Sequence, residues 1–254
     1  MKSPRCFRNA FTLVELLVVI AIIAILASMT IPIMDRSERP SKVMACMNNL
    51  HQITLGIHLY LDDQIDYSPG NTNAAQLPFL NWTDYRKLIG DYVNVKTAPS
   101  PQDRLFACPA DIFFYDMSGS RRGYVQEPLR AQANQVFTSY AYNAGMVTTR
   151  PTTNSLGTTT PGTTNFYGIA GMRFQSIAHP ARTALIAEAP AYAPYSWHQP
   201  KRPFSEKNSK FNDSKNLVGF VDGHVSYIKM YYDGHNFAWA SNPPAKYDYQ
   251  WMGD

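Results

Sequence analysis

Residues 11–31 read FTLVELLVVIAIIAILASMTI, an apolar run with a single charge, Glu15, near its start. At ~1.5 Å rise per residue, a helix of that length matches the ~30 Å hydrocarbon core of a bilayer. A helix packed on a soluble core carries a polar face at helical spacing, and this stretch has none. The run therefore predicts a membrane-spanning helix. The ten residues before it, MKSPRCFRNA, hold Lys2, Arg5 and Arg8 and no acid. Such a basic flank stays on the cytoplasmic side, which places residue 32 onward outside. A secretory signal has a shorter apolar core with a small-residue cleavage site after it. Here the small residue, Ala10, comes before the run, so processing at Ala10–Phe11 would remove the charged leader and keep the apolar helix.

The stretch Phe11-Thr12-Leu13-Val14-Glu15-Leu16-Leu17-Val18-Val19-Ile20 resembles the signal of type IV prepilins and pseudopilins. The resemblance implies cleavage by a prepilin peptidase just before Phe11, with methylation of the new amino group and Glu15 as the fifth mature residue. Ala10 departs from the family's usual glycine, and slower cleavage is expected from it. A carboxylate inside a bilayer is costly unless paired. The resemblance implies that Glu15 pairs with the N-terminal amine of a neighbouring subunit during filament assembly. The alternative is an acid that merely favours the helix N-terminus.

Lys2, Arg5 and Arg8 account for three of the formal +4 charges, so the basic balance is largely a targeting feature. No basic patch with interleaved aromatics is visible, and no nucleic-acid partner is expected. Cys6 lies in the leader, leaving Cys46 and Cys108 in the mature part. Disulfides persist outside the cytoplasm, so these two either bridge or remain buried thiols. Their spacing fits no zinc pattern.

Pro32 closes the apolar run, at the distance from the cut where pilins carry a proline, and Pro40 predicts a second break or bend. From Ser41, the residues Val43, Met47, Leu50, Ile53 and Ile57 recur at three- and four-residue steps, as an amphipathic helix requires. Asn48, Asn49, Gln52 and His58 fall nearer solvent. His51 and His58 share a face but lack a third ligand. The helix is expected to end near Asp62–Asp66, before the turn Ser68-Pro69-Gly70. Cys46, Asn49-Leu50, Gln52-Ile53, Tyr60, Asp63 and Pro69-Gly70 resemble a second signature, that of the large pilin-like paralogous group of planctomycete-type bacteria. The likeness is closest over residues 8–34 and extends to about 70.

Beyond it, residues 80–93 predict one short helix. Phe106-Ala107-Cys108-Pro109, Ser139–Asn143, Met172–Ile177 and Thr183–Glu188 predict strands, the last apolar enough to be central. Residues 147–165, rich in Thr, Pro, Gly and Asn, predict a surface loop or disordered segment. In residues 216–230, NLVGFVDGHVSYIKM, Asp222-Gly223 predicts a two-residue hairpin of type I′. This hairpin resembles the processing-associated motif of the same paralogous group, His, nine residues, then Asp-Gly. Asn212 stands where that histidine belongs, and the turn alone explains the Asp-Gly pair.

No cofactor is expected. The alternative is calcium near the C-terminus, which some major pseudopilins hold, with Asp222 and Asp233 as carboxylate donors; no loop here has dense acidic spacing. Glu127 and Glu188 are acids with no pairing signal. No nucleophile elbow, phosphate loop or zinc-protease helix is present, so the chain reads as a non-enzyme. The expectation is a basic leader (1–10), an N-terminal helix (11–66, with 11–31 transmembrane) and an α+β head (67–254) on an antiparallel sheet. The reading is a structural pilin-like or pseudopilin subunit, single-pass in the inner membrane with its head in the periplasm. Its partners would be prepilin peptidase, the membrane and other pilin-like subunits, in a type IV pilus-like or type II secretion filament. The rival reading is a membrane-tethered protein whose head binds glycans or other extracellular ligands, with Trp239 and Trp251 lining a groove.

Overall fold

A computed structural model describes residues 12–63, 85–95, 98–116, 123–132, 136–144, 146–149, 152–153, 159–160, 164–169, 172–192, 195–199, 213–232 and 242–253. The side chains of 28–37, 116 and 146–167 fall outside that description. The chain divides into two compact units, Met1–Ser41 and Lys42–Asp254.

Helix α1 is Leu13–Asp63. It stays helical through Pro32 and through Pro40, where a break or bend was expected, as one helix within the span expected for 11–66. In the first unit its side chains from Leu13 to Leu26 are apolar apart from Glu15, and the large ones are exposed, from 45% at Val19 to 73% at Leu13. Among the described residues no helix is long and apolar enough to cross a membrane. The membrane-spanning helix expected for 11–31 is therefore not found among the described residues.

In the second unit the same helix becomes amphipathic. Cys46, Leu50, Ile53, Ile57 and Leu61 are buried at helical spacing, with Val43 and Met47 half-buried at the margin. Asn49 does not face solvent alone: its Nδ2 donates to the carbonyls of Arg104 and Ala107, both at 3.0 Å.

The buried face meets a four-stranded antiparallel sheet built from β3 (Tyr140–Tyr142), β8 (Ala184–Glu188), β9 (Ser214–Phe220) and β10 (Val225–Met230). Their order is β10-β9-β8-β3. Strand β8 is central and buried at every position, as its unbroken apolar sequence requires. Gly219 of β9 lets helix and sheet approach closely. A Cβ there would lie 2.5 Å from Thr54 Oγ1 of α1 and 3.1 Å from Ile186 Cγ2 of β8.

The β9–β10 hairpin forms at the expected place with a different turn. Phe220 N–H donates to the His224 carbonyl at 2.9 Å, and Gly223 N–H to the Phe220 carbonyl at 3.0 Å. Among the turn residues only Gly223 has positive φ, at 97°. The loop is therefore three residues, Val221–Gly223, with glycine at the left-handed position, rather than a type I′ pair.

Other expectations are corrected. Phe106–Pro109 is not a strand: Arg104–Phe106 forms a 3-10 turn, and Asp111 N–H then bonds the Cys108 carbonyl. Phe174–Ser176 likewise forms a 3-10 turn, not a strand. The short helix is α2, Tyr85–Ile89. The Thr-rich stretch holds strands: β4 (Met146–Thr149) pairs with β7 (Thr164–Tyr167), and β5 (Thr152–Thr153) with β6 (Thr159–Thr160). Threonine is β-branched and suits a pleated strand, which outweighs its association with loops. A further pair, β1 (Phe114–Asp116) with β2 (Gly123–Val125), completes the strands described.

The C-terminal segment is a packed cover. Tyr247, Tyr249 and Trp251 are buried. Thr183 and Gln250 form a parallel bridge beside β8, with Ala184 N–H donating to the Gln250 carbonyl at 2.9 Å. Asn143 Nδ2 clamps this edge by donating to the carbonyls of Ala184 (2.7 Å) and Trp251 (2.6 Å).

Candidate functional site

Two places carry chemistry beyond packing. The first is the start of α1. Thr12 N–H and Thr12 Oγ1 both donate to Glu15 Oε2 at 2.8 Å, and Glu15 N–H donates back to Thr12 Oγ1 at 3.3 Å. This is a capping box: the Thr hydroxyl satisfies an orphan donor of the first turn while the Glu returns to the cap's own N–H. The Thr-x-x-Glu spacing signals it in the sequence, where Glu15 is expected as a paired membrane charge or as an acid favouring the helix N-terminus, but not as half of a capping box. Ala10 and Phe11, the expected processing pair, lie outside the described residues.

The second place lies inside the head. Cys46 of α1 and Cys108 are joined as a disulfide, with Cα atoms 5.1 Å apart. Against this bridge sit Glu188, the last residue of β8, and His198 of the segment 195–199. All four residues are buried, and one ligand-type atom from each lies within 4.8 Å of the others. His198 Nε2 is 2.8 Å from Glu188 Oε1, whose other oxygen accepts from Leu217 N–H at 2.9 Å. Cys108 Sγ lies 3.4 Å from Glu188 Oε1 and 3.8 Å from His198 Nε2. The opposite ring atom, His198 Nδ1, is buried with no partner among the described residues.

Asp111 organises the loop that carries Cys108. Its carboxylate accepts from Leu129 N–H (2.7 Å), Arg130 N–H (2.9 Å) and Ser139 Oγ (2.7 Å). Ser139 Oγ in turn accepts from Cys108 N–H at 3.0 Å, and Arg130 Nη1 bonds the Cys108 carbonyl at 2.9 Å. Burial pushes the Asp111 carboxyl up to about 6, against the lowering effect of those donors.

The remaining sequence candidates stay apart. Glu127 is exposed and accepts from Gln132 Nε2 at 3.1 Å, so it forms no acid pair with buried Glu188. His51 is exposed, while His58 packs edge-on against Phe174 with ring centroids 5.5 Å apart. Asp222 Oδ1 is taken up locally by the His224 ring at 2.6 Å. Asp233, Asn212 and Trp239 lie outside the described residues. Trp251, offered as a groove residue, is fully buried. Nothing in sequence spacing joins His198 to Cys46 and Cys108. The available signal was Glu188, a charge extending an otherwise apolar strand.

No curated protein and no solved structure matches the chain. The N-terminus carries a signal that implies processing by prepilin peptidase and membrane-associated export. Residues 6–31 carry the prokaryotic N-terminal methylation motif, the prepilin signal of type IV pilin-like proteins.

Proposed function

We propose that the chain is a structural pilin-like or pseudopilin subunit with no catalytic step of its own. Cleavage between Ala10 and Phe11 makes Phe11 the mature N-terminus. Residues 11–31 then hold the monomer in the inner membrane and pass into the core of a type IV pilus-like or type II secretion filament, with the head outermost. The observation that carries this reading is the apolar character of α1 from Leu13 to Leu26, exposed wherever a large side chain occurs and lying directly on the methylation motif. A helix apolar on every side must be covered by lipid or by other helices. The rival glycan-binding reading loses support because Trp251, one of its two stacking residues, is buried.

Glu15 supplies the test, because its two roles separate by substitution. Glu15→Gln keeps a capping side chain but removes the charge, whereas Glu15→Ala removes both. Both variants are expected to be cleaved normally and to be lost from sheared filament fractions. Full incorporation of Glu15→Gln, with loss only of Glu15→Ala, would show that the residue acts as a cap and would sink pairing with a neighbour's amine.

A further inference from the structure

The bridge between Cys46 and Cys108 does not explain why a carboxylate and an imidazole are buried against it. A disulfide needs neither, and burying Glu188 costs free energy that a purely apolar lining would avoid. The four residues come from α1, the loop after Arg104–Phe106, the end of β8 and the segment 195–199, so the fold rather than local sequence assembles them. The types are those of a closed zinc site: two thiolates, one imidazole and one carboxylate. With ligand bonds of ~2.0–2.3 Å, the edges of a tetrahedral zinc site run from about 3.3 to 3.8 Å. The Cys108 Sγ distances to Glu188 Oε1 (3.4 Å) and His198 Nε2 (3.8 Å) already lie at those lengths. The Leu217 N–H on Glu188 Oε2 fixes the carboxylate with Oε1 turned toward the cluster, as the outer shell of a metal site does.

We propose that, before the Cys46–Cys108 bond forms, the head binds one zinc-class divalent cation through Cys46, Cys108, His198 and Glu188. Bridge and cation are then alternative staples for the same core. The cysteines are made as thiols, so loading needs no reductant: each thiol gives its proton to solvent and its sulfur bonds the metal. Closing the bridge removes two electrons from the two thiolates, which pass to a disulfide-class oxidant, and the cation leaves. With a neutral imidazole, both forms bury the same net charge. Two thiolates, one carboxylate and a dication sum to minus one, as does the carboxylate beside a disulfide. To load, the sulfurs must separate and the His198–Glu188 contact must open to admit the ion, both small displacements within one cluster.

The test uses the full chain in detergent, reduced with a phosphine, stripped of metal and titrated anaerobically with cobalt(II). One equivalent is expected to bind with thiolate-to-cobalt charge transfer and the intense visible bands of a tetrahedral site, and zinc should displace it. The oxidised chain should bind none. Glu188→Gln and His198→Ala should each weaken binding by about tenfold or more, with the oxidised variants retaining the near-UV circular dichroism of the parent. X-ray absorption of the zinc-loaded parent, which needs no variant, should count two sulfurs and two nitrogen or oxygen ligands. No binding by the reduced chain, a four-sulfur or all-oxygen shell, or folded variants that bind like the parent would each overturn the proposal.

Discussion

Replacing Cys46 and Cys108 together with alanine tests what ties α1 to the loop of the head. The bridge joins residues separated by 62 positions. Chain-entropy accounting for a loop of that length gives about 4 kcal/mol of stabilisation through the unfolded state. Removing two buried sulfurs also leaves a small void, adding about 1 kcal/mol. A total of about 4–5 kcal/mol is a large share of the ~5–15 kcal/mol that a domain of this kind holds. The assay is urea unfolding of the full chain in detergent, followed by near-UV circular dichroism from buried aromatics such as Trp251 and Tyr249. The parent's midpoint should fall on adding a reductant in the absence of metal, and the double variant's should not move. Either single alanine should cost nearly as much as both, because the pair acts as one unit. A loss below about 1 kcal/mol, or a parent midpoint indifferent to reductant, would refute the reasoning.

Two other predictions concern the head. Gly219→Ala places a Cβ 2.5 Å from Thr54 Oγ1, so it should destabilise by about 1–3 kcal/mol, and adding Thr54→Ala should recover much of that loss. Strict additivity in the double-mutant cycle would contradict the close approach of α1 to β9. Asp111, pushed up from 3.8 to about 6, favours its protonated form in the folded head. Its contribution to stability is therefore fully present below pH 3.8 and is lost as pH rises through about 6, a decline of about 3 kcal/mol. Denaturant midpoints between those pH values should show a decline that Asp111→Asn abolishes. Asp111→Asn should also cost about 1–3 kcal/mol at low pH, because its amide NH2 would face either the Leu129 N–H or the Arg130 N–H. An identical pH slope in parent and variant would remove Asp111 from the account.

Where local chemistry decides structure, the sequence was readable. The helical spacing of Leu50, Ile53 and Ile57 located the buried face of α1, the apolar run Ala184–Glu188 located the central strand, and Asp222-Gly223 located the hairpin. The turn type was not readable, because it depends on where the strand pairing stops, and pairing ends at Phe220 and His224. Met172–Ile177 and Phe106–Pro109 have strand-like composition, but 3-10 turns at Phe174–Ser176 and Arg104–Phe106 turn the chain before an extended run can form. Composition alone assigned threonine-rich residues 147–165 to a loop, whereas the backbone pairs β4 with β7 and β5 with β6, in keeping with the extended conformation that β-branched residue types favour. The Cys–Glu–His cluster was least legible. The Cys46–Cys108 pair was foreseen as a possible bridge and does form one, but Glu188 and His198 are brought to it by packing, and only a charge closing an apolar strand hinted at them.

The most direct test of the central claim is mass spectrometry of the N-terminal peptide of the protein extracted from membranes of cells that contain the prepilin peptidase. The account predicts a peptide beginning at Phe11 with a methylated amino group, in keeping with the methylation motif at residues 6–31. A peptide still beginning at Met1 would contradict it and leave residues 11–31 as a plain anchor.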